Sequence, residues 1–393
     1  MDIFKKCYDY LEPSIAREQG YYPYFIPFSG GDDTVMVYKG AAKIMIGSNN
    51  YLGLTHHPKI VEAAQKALVE YGTGRTGSRF LNGTLDIHEE FEAELAEFTG
   101  KQAALIFSTG FLANMGTIAT LLDKHNAVII DKLDHASIVE GCRMSGATIV
   151  RYKHNDLDDL RSVLEKLPSE RGRMIIVDGI FSMEGDIAPL SQICQLANEF
   201  EARLMVDDAH SFGVLGPNGN GTSAHFGVTD QVDLIMGTFS KSFGAVGGFI
   251  AGDTEVVDYI KHKSKSMIFT ASLPPSVVAS TRAALEIIKS EPQRRERLWE
   301  IGDYMRKEYQ HMGFDTGNSE TPIIPIVIGD NIQTFLFWKT LFEEGVYTNA
   351  VIYPAVPSNS ARLRTSYIAT HTQEQLDFVL TKFHKIGKKL GVI

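Results

Sequence analysis

R-L-M-V-D-D-A-H-S (203–211) and D-L-I-M-G-T-F-S-K-S (233–242) decide the fold of this 393-residue chain. Each is a short apolar run that stops at polar residues, the pattern of a buried strand ending in a functional loop. Upstream, A-A-L-I-F (103–107), A-V-I-I-D (127–131), T-I-V-R-Y (148–152) and M-I-I-V-D (174–178) repeat it. Helix-period segments lie between them: Ile87, Phe91, Leu95 and Phe98 form one apolar stripe, and Leu190, Ile193, Leu196, Ala197 and Phe200 another. Strands alternating with helices predict an α/β fold with one large sheet. Its ligands are expected at the carboxyl ends of the strands, near Ser108-Thr109-Gly110, Asp131, Asp178, Asp207 and Gly237. Beyond Pro292 the pattern changes to a charged helix (293–312), the run P-I-I-P-I-V-I (322–328), a helix, and R-L-R-T-S-Y-I (362–368). We therefore expect an N-terminal segment (1–50), a large domain (51–291) and a smaller α+β C-terminal domain (292–393).

Composition excludes several classes of function. A net charge of −10 repels polyanions on average, so no nucleic-acid partner is expected. Cys7, Cys142 and Cys194 are widely spaced, suit a reducing compartment and form no thiolate metal cage. The charged N-terminus lacks the apolar core of a secretory signal, which predicts a cytoplasmic location. The uncharged stretch from Gln102 to Leu122 is split by Ser108, Thr109, Gly110 and Asn114, and reads as buried strand, turn and helix. Membrane contact is at most peripheral: the apolar Ile3, Phe4, Cys7, Tyr8 and Leu11 and the aromatic run 21–25 suit a dimer or core contact better.

One motif misleads. Gly72, Gly74 and Gly77 spell G-x-G-x-x-G, but a helix-period stretch (58–71) precedes them where a dinucleotide site needs a strand. A glycine-rich helix end explains them.

The chemistry is expected around Lys241, which follows a strand and is flanked by Thr238, Ser240 and Ser242. A lysine there can form a Schiff base, and the hydroxyls can bind phosphate, although a lone loop lysine is usually only solvated. Asp207 at a strand end can pair with a pyridinium nitrogen and His210 can reach a ring hydroxyl, though helix capping explains such acids as well. His135 could stack on a flat ring or serve as a turn residue. Ser108-Thr109-Gly110-Phe111 offers helix-terminal amides to a phosphate, or is a plain turn. Taken together, phosphate cradle, stacking His, Asp and Lys describe pyridoxal 5'-phosphate (PLP). A metal-dependent hydrolase built on Asp207, Asp208, His210, His88 and His135 lacks ligand spacing, so no metal is expected. A non-catalytic subunit is at odds with the retained Lys241.

Eight ordered motifs resemble the α-oxoamine synthases: N-N-Y-L-G-L (49–54), G-S-R-F-L-N-G-T (77–84), F-S-T-G-F-L-A-N (107–114), D-H-A-S-I (134–138), F-S-M-E-G-D-I-A-P-L (181–190), V-D-D-A-H-S (206–211), G-T-F-S-K-S (237–242) and F-T-A-S-L-P-P (269–275). These are PLP-dependent transferases of fold type I (aspartate aminotransferase-like), which join an amino acid to an acyl-CoA with loss of carbon dioxide. The resemblance implies that Lys241 carries PLP, Asp207 pairs with its ring nitrogen, His135 stacks on the ring, and His210 with Ser182 meets the ring hydroxyl. It assigns Gly110, Phe111, Thr238 and Ser240 to the phosphate, with Thr270 reaching the phosphate of a neighbouring subunit in a homodimer. Asn50 and Arg364 match positions that hold the substrate carboxylate; Arg79 and His88 lie in shared motifs without a separable role. The motifs around Lys241, Gly77 and Phe269 look most like the branch that condenses L-serine with palmitoyl-CoA to 3-ketodihydrosphingosine, the first step of sphingolipid biosynthesis. Glycine C-acetyltransferase and amino-oxononanoate synthase are the alternatives.

Overall fold

The computed structural model describes residues 2–393. Two strands, β1 (Val35–Tyr38) and β2 (Ala41–Met45), precede the main sheet. That sheet is built from β3 (Ala103–Phe107), β4 (Asn126–Asp131), β5 (Thr148–Tyr152), β6 (Gly172–Asp178), β7 (Arg203–Asp207), β8 (Leu234–Thr238) and β9 (Gly248–Gly252). The strands β10 (Ile323–Gly329), β11 (Val346–Tyr347), β12 (Asn349–Val351) and β13 (Ala361–Ser366) follow.

The chain forms two compact units. The larger one, Asn49–Ser182 with Asp186–Leu298, holds the seven-stranded sheet in the order β3-β9-β8-β7-β6-β4-β5. From β5 to β8 all neighbours are parallel, while β9 runs antiparallel to both β3 and β8. The mixed sheet and its flanking helices match the predicted α/β class. Parallel strands are covered on both faces, which is why the central strands are apolar runs without alternation. Helices α1 (Asp86–Thr99), α2 (Gly110–Leu121) and α3 (Ala136–Ser145) belong to this unit. On one face, Ile118 of α2 and Ile138 of α3 pack with Leu105, Ile130, Ile176 and Met236 into a core. Each such side chain contributes about 1.5–3 kcal/mol when removed from water.

The glycine-rich G-A-V-G-G-F (244–249) after Lys241 reads along the sequence as a flexible loop, whereas its last two residues open strand β9. Glycine is required there by packing rather than by mobility. A Cβ on Gly248 would lie 2.6 Å from the Gly110 Cα, so the start of β9 and the first turn of α2 touch backbone to backbone. The G-x-G-x-x-G stretch begins where helix Pro58–Tyr71 ends, as expected.

The smaller unit comprises the residues up to Ser48, Met183–Gly185 and Trp299–Ile393. The predicted N-terminal segment 1–50 therefore does not stand alone. Its strand β2 pairs in parallel with β11, about 300 residues later, a pairing no local pattern announces. In place of the expected boundary at 292, the division falls after Leu298, inside helix Pro292–Met312. The core is aromatic, with Tyr309, Phe314, Phe337, Trp338, Tyr367 and Phe383 buried together. Tyr21 stacks on Phe335 at 5.6 Å, so part of the aromatic run 21–25 is a contact within this unit. Ile3, Phe4, Tyr8 and Leu11 are exposed.

Candidate active site

Four parallel strands end in polar residues at one edge of the main sheet, and three of them, β6, β7 and β8, give Asp178, Asp207 and Thr238 to one cavity of about 300 Å³. Gly110, Phe111, His135, His210, Ser240 and Lys241 line the same cavity. Eight of the residues assigned to the cofactor from the sequence thus converge, together with the strand-end Asp178.

Asp207 is buried and held from two sides. Its Oδ2 accepts from Asn114 Nδ2 at 2.6 Å, and its Oδ1 accepts from the Ala209 amide at 2.9 Å. Asn114 also donates to Ser137 Oγ at 2.9 Å. Ser137 in turn meets His135 Nδ1 at 2.7 Å, while its amide donates to that same nitrogen at 3.2 Å. With Nδ1 accepting, His135 carries its proton on Nε2. Burial lowers its pKa, against the opposing pull of Asp207 and with a smaller push from the Lys241 charge, so the ring is neutral. His210 Nδ1 lies 2.7 Å from the Tyr51 hydroxyl. Sequence reading missed Asn114, Ser137 and Tyr51. Each sits inside a quoted motif, and Asn114 falls one helical turn after Gly110, which was the available signal.

The phosphate side has its own geometry. Thr109 caps α2 by accepting from the Leu112 amide, leaving the first amides of the helix without intrahelical partners. A Cβ on Gly110 would come within 2.7 Å of Thr238 Oγ1, so only glycine brings this helix end so near the strand. Thr238 Oγ1 is 2.9 Å from Ser240 Oγ and donates to Gly247 O at 3.0 Å. Anions favour such helix ends.

Asp178 pairs in register with Asp207, and both carboxyls are buried at the same edge. Burial first, then the neighbouring Asp207 and Asp134, pushes the Asp178 pKa well up. Asp178 Oδ1 and Asn114 Oδ1 are buried without a hydrogen-bond partner. Unpaired polar atoms are costly, and here they face a cavity that already has an anion-binding end and a lysine. The residues present thus fit PLP: Lys241 for its aldehyde, Asp207 for its ring nitrogen, and Gly110, Thr238 and Ser240 for its phosphate.

Other predicted residues lie elsewhere. Asn50 accepts from the Leu54 amide at 2.9 Å and donates to Thr55 Oγ1 at 3.0 Å, and it does not line the cavity. Ser182 and Thr270 do not line it either. Arg364 is buried on β13 of the smaller unit and donates to Ser366 Oγ at 3.3 Å. Arg79 and His88 have structural partners. Arg79 forms a two-pronged buried ion pair with Glu92, which also accepts from the Ile106 amide. His88 accepts from the Leu85 amide, and its Nε2 reaches Leu273 O at 3.0 Å. Among the described residues no cluster suits a metal ion, and no helix is long and apolar enough to cross a membrane.

Residues 41–383 match the family "Aminotransferase class I and II", and the chain belongs to that family. Within it, the relatives are α-oxoamine synthases. The chain is 50% identical to serine palmitoyltransferase of Sphingobacterium spiritivorum over 376 residues, covering 96% of this chain and 94% of the relative. It is 44% identical to 8-amino-7-oxononanoate synthase of Thermoanaerobacter pseudethanolicus over 90% of each chain. Among solved structures it superposes on serine palmitoyltransferase from S. paucimobilis with a bound PLP–myriocin aldimine, with a TM-score of 0.97, 38% identity and full coverage of both chains. The fold and the cofactor class read from sequence are thereby established: this is a PLP-dependent enzyme of the aminotransferase fold.

Proposed function

We propose that this enzyme condenses L-serine with palmitoyl-CoA, releasing CoA and carbon dioxide and forming 3-ketodihydrosphingosine. The observation that carries the reading is the 50% identity to a serine palmitoyltransferase over nearly the whole chain. The convergence of Lys241, Asp207 and His135 on one cavity supports it chemically.

When bound, PLP supplies an electron sink for charge that develops at the amino-acid Cα. Asp207, fixed by Asn114 and the Ala209 amide, holds a proton at the ring nitrogen. Lys241 Nζ would hold the aldehyde carbon and, when its amine is free, would take the proton from Cα. Neutral His135 offers a flat face to the ring and an Nε2–H to the serine carboxylate. His210, steadied by Tyr51, orients the ring hydroxyl together with Ser182. Gly110, Phe111, Thr238 and Ser240 bind the phosphate. Arg364 receives the serine carboxylate through its planar fork, and Asn50 is assigned to the same carboxylate. In the net reaction a bond forms between Cα and the acyl carbon, the thiolate of CoA leaves, and the carboxyl carbon departs as carbon dioxide.

The working form is a homodimer in the cytoplasm, with at most peripheral membrane contact, and Thr270 of each chain completes the phosphate site of the other. Heterodimers of Thr270→Ala and Lys241→Ala chains should regain activity if Thr270→Ala alone is impaired; verified heterodimers that stay inactive would refute sharing.

Substrate choice is tested by CoA release across serine, glycine and alanine paired with palmitoyl-, acetyl-, succinyl- and pimeloyl-CoA. Serine with palmitoyl-CoA should be fastest. A hydrogen-bonded hydroxyl separates serine from alanine sharply, and each buried methylene of the acyl chain adds about 0.8 kcal/mol. Faster turnover of alanine with pimeloyl-CoA would move the enzyme to the amino-oxononanoate branch and leave its fold and cofactor untouched.

A further inference from the structure

His154, which follows β5 and lies outside the cavity lining, holds three loops of the larger unit together. Its Nδ1 is 3.1 Å from Asp131 Oδ1 at the end of β4, and its Nε2 is 2.8 Å from Asp186 Oδ2 in the loop after β6. Carboxylates accept hydrogen bonds, so both ring nitrogens must donate and the ring must be an imidazolium. Asn155 repeats the bridge: its amide donates to Asp131 Oδ2 at 2.9 Å and its side chain to Asp186 Oδ2 at 3.1 Å. Asn155 has φ 51°, a left-handed conformation that asparagine tolerates.

The tied loops are those of the cofactor site. Asp131 leads into the turn bearing His135; its amide donates to Asp134 Oδ2, and the other oxygen of Asp134 accepts from the Asp178 amide. The loop ending at Asp186 bears Ser182, and Phe181 within it donates its amide to Asp186 O and meets the His154 ring edge-on at 4.4 Å. We propose that His154 is a positioning residue for the cofactor site, a charged clamp that fixes the His135 turn and the Ser182 loop relative to each other. This rests on reading the cavity as the PLP site.

The charged groups facing the ring are Asp131 from β4 and Asp186 from the loop after β6, with Asp134 behind Asp131; Lys153 and Asp156 flank it on its own loop. Burial works against the charge, but the hydrogen bonds to Asp131 and Asp186 outweigh it and raise the His154 pKa to about 10. The clamp is therefore charged throughout the neutral range.

The test uses holoenzyme labelled with nitrogen-15 histidine, the His154 signal being assigned by its loss in His154→Gln. A doubly protonated ring at pH 8 is expected; a neutral ring would overturn the proposal on the wild-type protein alone. Reconstitution of cofactor-free protein, followed by visible absorbance, should show PLP binding about tenfold weaker in His154→Gln. Pairing His154→Gln with Asp186→Asn should recover part of that loss, because one of the two carboxylates left without their cation is then neutral. Unchanged PLP affinity in His154→Gln, or no recovery in the folded double variant, would also overturn it. If the wild-type protein fails to bind PLP at all, the reading of the cavity fails instead.

Discussion

His371 in the smaller unit and His154 at the rim of the main sheet each have both ring nitrogens engaged, yet they titrate in opposite directions. His371 Nδ1 accepts from the Ile368 amide at 3.0 Å, while Nε2 reaches Met45 O at 3.1 Å. One acceptor and one donor satisfy a neutral ring, and burial lowers the pKa to about 4. His154 has carboxylates on both sides and is raised to about 10. The same contrast separates the two regions. The smaller unit is held by aromatic volume, with Phe337, Phe383, Phe314 and Tyr309 packed ring against ring. The rim of the sheet collects buried carboxyls at Asp131, Asp134, Asp178 and Asp207 and keeps them with a few charged or amide partners. One region is organised for stability and the other for chemistry, and substitutions should separate the two.

The largest effect should come at the rim. Lys241→Ala should lower turnover by about a thousandfold or more and abolish the visible absorbance of reconstituted enzyme. Unfolding of the cofactor-free protein should barely move. A variant that keeps the absorbance would transfer the cofactor to another lysine.

Phe383→Ala should do the reverse. Emptying that site costs about 3–5 kcal/mol of stability, read from denaturant unfolding, while the absorbance of the folded holoenzyme stays the same. A changed cofactor spectrum with unchanged stability would break the division between the regions.

The two histidines then predict opposite pH slopes. His371 has a folded pKa below its unfolded one, so the unfolded chain binds its proton first as pH falls. Stability should drop between pH 6.5 and 4, by up to about 3 kcal/mol, and a variant lacking this histidine should lose that slope. His154 has its folded pKa raised, so its contribution is complete below pH 6.5 and disappears as pH rises through about 10. The stability gap between wild type and His154→Gln should therefore narrow steadily from pH 7 to 10. A gap that stays constant would mean the clamp is uncharged.

The smallest effect expected is at Tyr51→Phe. Losing one hydrogen bond to His210 is worth about 0.5–1.5 kcal/mol, so PLP affinity should fall only a few fold, measured by equilibrium titration.

The chain pattern itself determined much of the larger unit. Its strands are apolar runs buried on both faces and its helices carry one apolar stripe, and both periods follow from local backbone geometry. The cavity residues from Gly110 to Lys241 were legible for a related reason: each ends a strand or lies within a few residues of a strand's end, and parallel strands deliver their ends to one edge. Tertiary structure alone decided the rest. Asn114 and Ser137 read as ordinary helix residues until Asp207 and His135 close around them. Gly248 reads as loop until the approach of α2 explains why it has no side chain. The N-terminal segment reads as separate until β2 meets β11. Charge was decided last. Nothing in the neighbours of His154 or His371 along the chain distinguishes an imidazolium from a neutral ring, because a buried group's proton is set by the groups folding brings to it across long stretches of sequence.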